Sequence, residues 1–382
     1  MSTARANAPT SPPHTGNDLI AAEDIAVNHQ DDIDSIFSEE FVDITIHMFF
    51  YFPDVRRSQS STTSIASSVL EYHQIHGRTY HSDKFTTNYF FPNDDQQLES
   101  MELCHHFLTI LLDDQLFLAP LEKDKTHRVL DVGTGSGIWA IEFADQFPNA
   151  SVVGTDLSPC QPEWVPPNVC FEIDDATLEW TWNANHFDFI HMRYIVGGIG
   201  DWTALFKEAY RCCAPGGWVE SIEYDVELRS DDGTTELEPV LYSYGDLFRE
   251  ASKILKRPLF VREIQPRALD EAGFIEKRVI QYKIPIGPWA KDRKFAEIGR
   301  FAREAMEKDL QGMGSPHFYT YIGEKVNISH LGLSCYTQML WQSVQKPEDE
   351  YQVWLATIRK AIRNPKVHSY MMVYVVYGRK PE

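Results

Sequence analysis

The chain has 382 residues, of which 43% are hydrophobic and 13% are aromatic, enough apolar material to bury a sizeable core. Its 56 acidic residues outnumber the 35 basic ones and give a net charge of −21, which argues against nucleic acid or an anionic membrane as the main partner. The six cysteines show no spacing typical of a disulfide framework or a zinc site, so we expect reduced thiols, no bound metal and a cytoplasmic or nuclear protein.

Residues 1–65 carry ten acidic against three basic residues, with clusters of Ser, Thr, Pro and Asn. Such a composition cannot bury a core of its own, so we expect an acidic, disordered tail. An apolar, aromatic segment at 41–52 interrupts the tail, but it is too short to span a bilayer. We interpret this segment either as a docking strand for a partner or as a piece that packs on the surface of the main domain.

The main domain is predicted to span residues 66–382 and to begin with a helical lead-in over 66–120. Apolar residues recur there with helical spacing at Leu98, Met101, Cys104, Leu108 and Leu111. Asn93 is a candidate N-cap for this helix. His105 and His106 lie on the same helix, and we interpret them as packing or surface residues rather than metal ligands.

A short apolar strand, a glycine-rich loop and a helix follow one another over residues 128–144. The loop contains Gly133, Gly135 and Gly137. These glycines let the backbone approach a ligand and expose N–H groups at the positive start of a helix. Asp131 would repel a pyrophosphate but suits an ammonium group, and Ile138 stands where dinucleotide loops have their last glycine. The loop therefore favours S-adenosylmethionine, whose carboxylate would meet the helix N-terminus, over a nicotinamide cofactor.

The next predicted strand, at 150–156, ends in Asp156, roughly twenty residues beyond the first glycine, a distance at which a carboxylate receives both ribose hydroxyls. The two acids and the glycine loop are together far more specific than the glycines alone. The alternative is a loop that only turns a strand into a helix. A third strand is predicted at 168–173.

The fourth predicted strand, at 187–194, has polar side chains near its end. Ligands in open α/β sheets bind beyond the carboxyl ends of the strands, so we expect His191, Arg193 and Tyr194 at the reaction site or its rim. Arg193 is a candidate anchor for the substrate. Two roles stay open for His191: a catalytic base, or a residue that only positions the cofactor.

The rest of the chain is predicted to contain a fifth strand at 218–223, an amphipathic helix at 237–255 and two last strands at 274–282 and 367–377. The fold class predicted is α/β, with a Rossmann-like, seven-stranded, mostly parallel sheet, an antiparallel last strand, a helical insert before that strand and a disordered N-terminal tail.

The insert covers residues 283–365 and is too long for a hairpin loop. Its aromatic side chains are candidates for a substrate pocket, although ordinary core packing is the expected role of any single one. They are Trp289, Phe318, Tyr319, Tyr321 and Trp341.

The sequence resembles the class I S-adenosylmethionine-dependent methyltransferases through residues 129–137 and 154–158. More narrowly, from about residue 66 to the C-terminus, it resembles the fungal LaeA-like methyltransferases associated with secondary metabolism. The narrower resemblance rests on residues 92–95, 174–176, 180–182, 187–193, 214–220 and 374–380.

The resemblance implies S-adenosylmethionine as cofactor and a site built from Asp131, Gly133, Gly135, Gly137, Asp156, Leu157, Asp175 and Ala176. In the family an acid at the end of the third strand accepts from the adenine amino group, and Asp175 matches that place. The alternative is that Asp175 only caps the segment that follows. The lead-in is expected to close over the cofactor, with Tyr80 and Glu102 as weaker candidates for contacts.

The implied activity is methyl transfer to a small-molecule acceptor in fungal secondary metabolism. The alternative is a LaeA-like regulatory protein that controls secondary-metabolite gene expression through a protein partner. Methyl transfer mainly requires that the nucleophile be held near the methyl carbon, and a base is needed only for a protonated acceptor. The acceptor therefore leaves little trace in the sequence. No Asp/Asn-Pro-Pro-Tyr/Phe run follows the fourth strand, which lowers the expectation of a nucleic-acid amino group.

Overall fold

The short apolar runs of the sequence form the strands of one seven-stranded sheet. The computed structural model describes residues 72–75, 78–80, 92–311 and 348–382, and the predicted tail with its apolar segment lies outside these ranges. A small hairpin consists of β1 (His73–Ile75) and β2 (Arg78–Tyr80). The sheet consists of β3 (Arg128–Val132), β4 (Ser151–Asp156), β5 (Val169–Ile173), β6 (Phe187–Arg193), β7 (Cys213–Arg229), β8 (Ile275–Pro285) and β9 (Tyr370–Arg379).

The strand order in the sheet is β5-β4-β3-β6-β7-β9-β8. Strands β3 to β7 pair in parallel, and β9 runs antiparallel to both β7 and β8. The predicted fold class is therefore confirmed for the sheet, including its antiparallel last strand.

The α-helices of the described ranges are α1 (Asp95–Leu111), α2 (Ile138–Gln146), α3 (Trp202–Cys212), α4 (Val240–Leu255), α5 (Ile264–Ala272), α6 (Arg293–Gln311) and α7 (Glu348–Ile362). Helices α6 and α7 lie between β8 and β9, as the predicted helical insert requires. No helix in the described ranges is both long and apolar enough to cross a membrane.

Helices cover both faces of the sheet, as the alternating side chains of β3 show. Val129 packs in one core cluster with α2. Leu130 and Val132 pack in another cluster with α3 and α5. Because neighbouring side chains of a strand point to opposite faces, α2 covers one face, and α3 and α5 cover the other.

Two local details differ from the sequence prediction. The N-cap of α1 is Asp94 rather than Asn93, because the Asp94 carboxylate accepts from the backbone N–H of Gln97, one of the unpaired donors of the first turn. Asn93 instead donates from its side chain to Ser158 Oγ at 3.2 Å. Helix α5 is not predicted from the sequence; its Pro266 lies in the first turn, where proline is compatible with a helix.

The insert helix α6 packs along the lead-in helix α1, about two hundred residues away in the chain. Gln96 Nε2 donates to the Lys308 carbonyl at 2.7 Å. The rings of His106 and Phe301 meet edge to face, with centroids 4.5 Å apart. The lead-in and the insert therefore form one wall beside the carboxyl ends of the strands.

We expect Phe301→Ala to destabilise the protein by about 3 kcal/mol, because a buried aromatic ring is removed from the α1–α6 contact. The matched control is Val353→Ala, at a side chain that is 68% exposed. Urea denaturation of both variants measures the difference. Equal unfolding midpoints would show that α6 does not pack on α1 as described.

Candidate active site

Two adjoining cavities lie where β3, β4 and β6 end. The larger one has a volume of about 150 Å³, and its floor is the glycine loop after β3. The smaller one, of about 60 Å³, lies beside it at the ends of β4 and β5. Gly133 and Asp156 line both cavities. A single elongated ligand can therefore extend from one cavity into the other.

The glycine loop depends on its glycines for two different reasons. Gly133 has a φ of +69°, and a Cβ there would lie 2.5 Å from Ile195 Cγ2. Gly137 has a φ of +81°, and a Cβ there would lie 2.4 Å from the ring of Phe171. Gly133 therefore shapes the cavity wall, whereas Gly137 lines neither cavity and is required for the packing of α2 on β5.

Asp131 is a buried carboxylate at the end of β3 with two partners. Its Oδ2 accepts from Thr134 Oγ1 at 2.7 Å, and its Oδ1 lies 2.7 Å from His191 Nδ1. The His191 ring stacks flat on Trp139, with ring centroids 3.7 Å apart. Burial lowers the pKa of His191, so we assign a neutral ring that donates from Nδ1 to Asp131.

His191 itself does not line either cavity. It is fully buried, and within the described part of the chain its Nε2 has no hydrogen-bond partner. A general base must come within hydrogen-bond reach of the proton that it removes. In this geometry His191 instead contacts Asp131 Oδ1 from the core, while Asp131 itself lines the cavity.

Asp156 joins the end of β4 to the glycine loop. Its Oδ2 accepts from the Gly135 N–H at 2.9 Å, and its Oδ1 accepts from the Ser158 N–H at 3.0 Å. Burial raises the pKa of Asp156 to about 6, against the opposing effect of these backbone hydrogen bonds. Each carboxylate oxygen keeps a further lone pair for a ligand.

Asp175 caps its own turn and also lines the smaller cavity. Its Oδ1 accepts from the Thr177 N–H at 2.9 Å and from Thr177 Oγ1 at 2.7 Å, as the capping alternative predicts. The smaller cavity is also lined by Leu157 and Ala176. Apart from Gly137, all residues predicted for the cofactor therefore line one cavity or the other.

Arg193 lines the larger cavity and bonds to the lead-in helix. Its Nη2 lies 3.0 Å from His105 Nδ1, and His105 Nε2 lies 3.0 Å from Glu142 Oε2 on α2. Burial lowers the pKa of His105, so the neutral ring accepts from Arg193. The interpretation of His105 as an ordinary packing residue misses this contact.

The chain leaves β6 through a strained residue. Tyr194 has a φ of +56°, in the left-handed region that costs a bulky residue about 1–2 kcal/mol. Buried Glu223 holds this turn, because its two carboxylate oxygens accept from the N–H groups of Ile195 and Val196 at 3.1 Å each. Glu223 is one of four acidic residues in β7, so the sequence pattern alone does not distinguish it.

The end of the larger cavity away from the glycine loop is mostly apolar. It is lined by Phe107, Tyr224, Tyr244, Ile284, Ile286, Ala302, Met306, Met371 and Val373, and one acid of α6, Asp309, also lines the cavity. Of the insert aromatics predicted for this wall, Trp289 lies elsewhere and donates to the Ser369 carbonyl at 2.9 Å. The other four predicted aromatics lie outside the described residues. Tyr80 and Glu102 line neither cavity.

The described residues contain no group of three or more His, Cys, Asp or Glu side chains that could hold a metal ion.

Comparison with known proteins gives a consistent result. A family model described as a methyltransferase domain matches residues 104–274. Methyltransferase pytC of Aspergillus terreus is 36% identical over 280 residues, which cover 72% of this chain and 86% of that protein. Secondary metabolism regulator LAE1 of Cochliobolus heterostrophus is 29% identical over 310 residues, covering 80% of this chain and 94% of that protein. Protein-methionine methyltransferase laeA of Emericella nidulans is 28% identical, covering 85% and 80% respectively.

We expect Glu223→Ala to lower stability by about 2 kcal/mol, because the buried N–H groups of Ile195 and Val196 lose their acceptor. The control is Glu263→Ala, at a side chain that is 83% exposed. Chemical denaturation of both variants measures the difference. A Glu223→Ala variant as stable as the control would remove Glu223 from its role in holding the Tyr194 turn.

Proposed function

The chain belongs to the S-adenosylmethionine-dependent methyltransferases, in the group that includes pytC and LAE1, and we propose that it methylates a small, largely apolar molecule of fungal secondary metabolism. The observation that carries the proposal is the pair of joined cavities. One end of the pair is polar and bordered by buried carboxylates, and the other end is apolar.

The residues of the polar end fit the cofactor. Asp156 would accept from the ribose hydroxyls, because it lies between the two cavities with lone pairs to spare. Leu157 and Ala176 would contact the adenine in the smaller cavity, and Asp175 would accept from its amino group. Asp131 would face the ammonium group of the methionine part.

We propose that His191 is a positioning residue and not a base. It donates a hydrogen bond to Asp131 from the core side, and its ring stacks on Trp139. This contact fixes the Asp131 carboxylate and gives one of its oxygens a hydrogen bond within the core.

The bound cofactor supplies an electrophilic methyl group, and the residues of the chain orient the acceptor relative to it. The apolar walls formed by α4, α6 and β9 would hold the acceptor in line with the methyl group and exclude water from it. Positioning of this kind can contribute several kcal/mol to the rate of a displacement. No histidine lines the larger cavity in the described part of the chain. The geometry therefore favours an acceptor that is already a good nucleophile, or one whose proton a weak base such as the cavity-lining Asp309 can accept.

The second candidate is a regulatory methyltransferase that acts on a protein partner. The names of the LAE1 and laeA relatives favour it, and a thioether acceptor would also require no base. Under the first candidate we place the protein in the cytoplasm, and under the second also in the nucleus.

A transfer assay separates the two candidates. The full chain is incubated with methyl-labelled S-adenosylmethionine and either a fungal metabolite extract or a fungal protein extract, with Asp156→Ala as the inactive control. The proposal expects label in a small apolar product. Label only in protein would favour the second candidate, and no transfer to either extract would overturn the enzymatic proposal.

We expect Asp156→Ala to weaken the binding of S-adenosylhomocysteine by about ten-fold or more, because hydrogen bonds to a carboxylate contribute roughly 1.5–3 kcal/mol each. Calorimetry on the folded variant measures this loss. Unchanged affinity would remove Asp156 from the site.

The raised pKa of Asp156, about 6, also predicts the pH dependence of cofactor binding. Below this pKa the carboxyl group is protonated and loses its charge, so affinity should rise from about pH 5 to about pH 7 and then level off. The dependence should disappear in Asp156→Asn. A wild-type affinity that is flat across this range would contradict the assignment.

A further inference from the structure

Arg193 is a cation in the larger cavity, and among the described residues it has no anionic partner. Its guanidinium bonds to the neutral ring of His105 at 3.0 Å, and the described residues place no carboxylate oxygen within ion-pair distance of it. The side chain is half-buried, and a charge removed from water is costly unless it is paired. The arrangement therefore calls for an anion from a ligand.

The sheet register places this cation beside Asp131. In the parallel pairing of β3 with β6, Asp131 lies opposite His191, and Val132 lies opposite Met192. Because side chains alternate along a strand, Arg193 projects on the same face as His191. Burial lowers the pKa of Arg193, and the charge of Asp131 opposes that shift. A carboxylate and a guanidinium thus face one cavity from neighbouring strands.

Three amides of the glycine loop donate to acceptors within the chain. The Thr134 N–H donates to the Thr155 carbonyl at 2.8 Å, and the Gly137 N–H donates to the Thr134 carbonyl at 3.0 Å. The Gly135 N–H donates to Asp156. Three donors of the loop are therefore used within the chain, which weakens the expectation that the helix N-terminus alone receives the cofactor carboxylate.

We propose that Arg193 binds the α-carboxylate of the cofactor's methionine part, while Asp131 faces the ammonium group on the same carbon. This inference rests on the proposed function and replaces the role of substrate anchor expected from the sequence. A zwitterion matches the pair of opposite charges on one face, whereas the acceptor end of the cavity is mostly apolar and its insert helix contributes an acid, Asp309, but no cation.

His105 and Glu142 are positioning residues in this arrangement. His105 Nδ1 accepts from the guanidinium, and His105 Nε2 lies 3.0 Å from Glu142 Oε2. His105 lies on α1 and Glu142 on α2, so the contact ties the lead-in helix to the glycine-loop helix. The direction of the Arg193 side chain thus depends on the docking of the lead-in.

The test compares two ligands that differ by one group. S-adenosylhomocysteine has the carboxylate, and 5′-(3-aminopropylthio)-5′-deoxyadenosine has the same adenosine, sulfur and amine without it. Calorimetry is performed on the wild-type full chain, on Arg193→Gln, and on the control Arg267→Gln, at a side chain that is 68% exposed. Arg193→Gln should lose about 10- to 100-fold in affinity for S-adenosylhomocysteine and less than about two-fold for the analogue. The control should bind both ligands as the wild type does.

Three outcomes would overturn the inference. Equal losses for the two ligands would show that Arg193 only maintains the structure of the site. Unchanged binding of both ligands, with a raised KM for a methyl acceptor, would return Arg193 to the role of substrate anchor. A wild-type chain that binds neither ligand would overturn the proposed function together with this inference, whereas the first two outcomes leave the proposed function intact.

Discussion

The hydrogen bond between His191 and the buried Asp131 is the interaction on which the rest of the site depends. A carboxylate at the end of a central strand is costly in the core unless its oxygens accept hydrogen bonds. Here one oxygen accepts from His191 and the other from Thr134. Since His191 also stacks on Trp139, this one pairing fixes β3, β6, the glycine loop and α2 relative to one another.

Buried acidic side chains that accept hydrogen bonds also hold the loops at neighbouring strands. Asp156 on β4 holds the glycine loop. Glu223 on β7 holds the turn after β6. Glu220, also on β7, accepts from the N–H groups of Leu118 and Ala119, in the segment that leads into β3. Burial raises the pKa of Glu220 to about 7 and that of Glu223 to about 8. Buried carboxyl groups thus hold the loops in place before any ligand binds, which is the preorganisation that positioning requires.

The sequence was sufficient for the sheet and for most of the polar end of the site, because strand periodicity, glycine spacing and strand-end acids are local patterns. It was insufficient for contacts between distant segments. The acceptor wall joins α1, α4 and α6, and none of the aromatic residues at its apolar end is predicted for the site from the sequence: Phe107, Tyr224 and Tyr244. The burial of His191, the left-handed turn at Tyr194 and the packing role of Gly137 depend on neighbours from other strands and helices, which local patterns do not identify.

The central claim is that the joined cavities bind S-adenosylmethionine and not a dinucleotide, because Asp131 would repel a pyrophosphate and Ile138 occupies the place of the last glycine in a dinucleotide loop. Parallel calorimetric titrations of the full chain with S-adenosylmethionine and with NAD test this claim most directly. The account predicts saturable binding of one S-adenosylmethionine per chain and no heat of binding with NAD. Saturable binding of NAD, or no binding of S-adenosylmethionine, would contradict it.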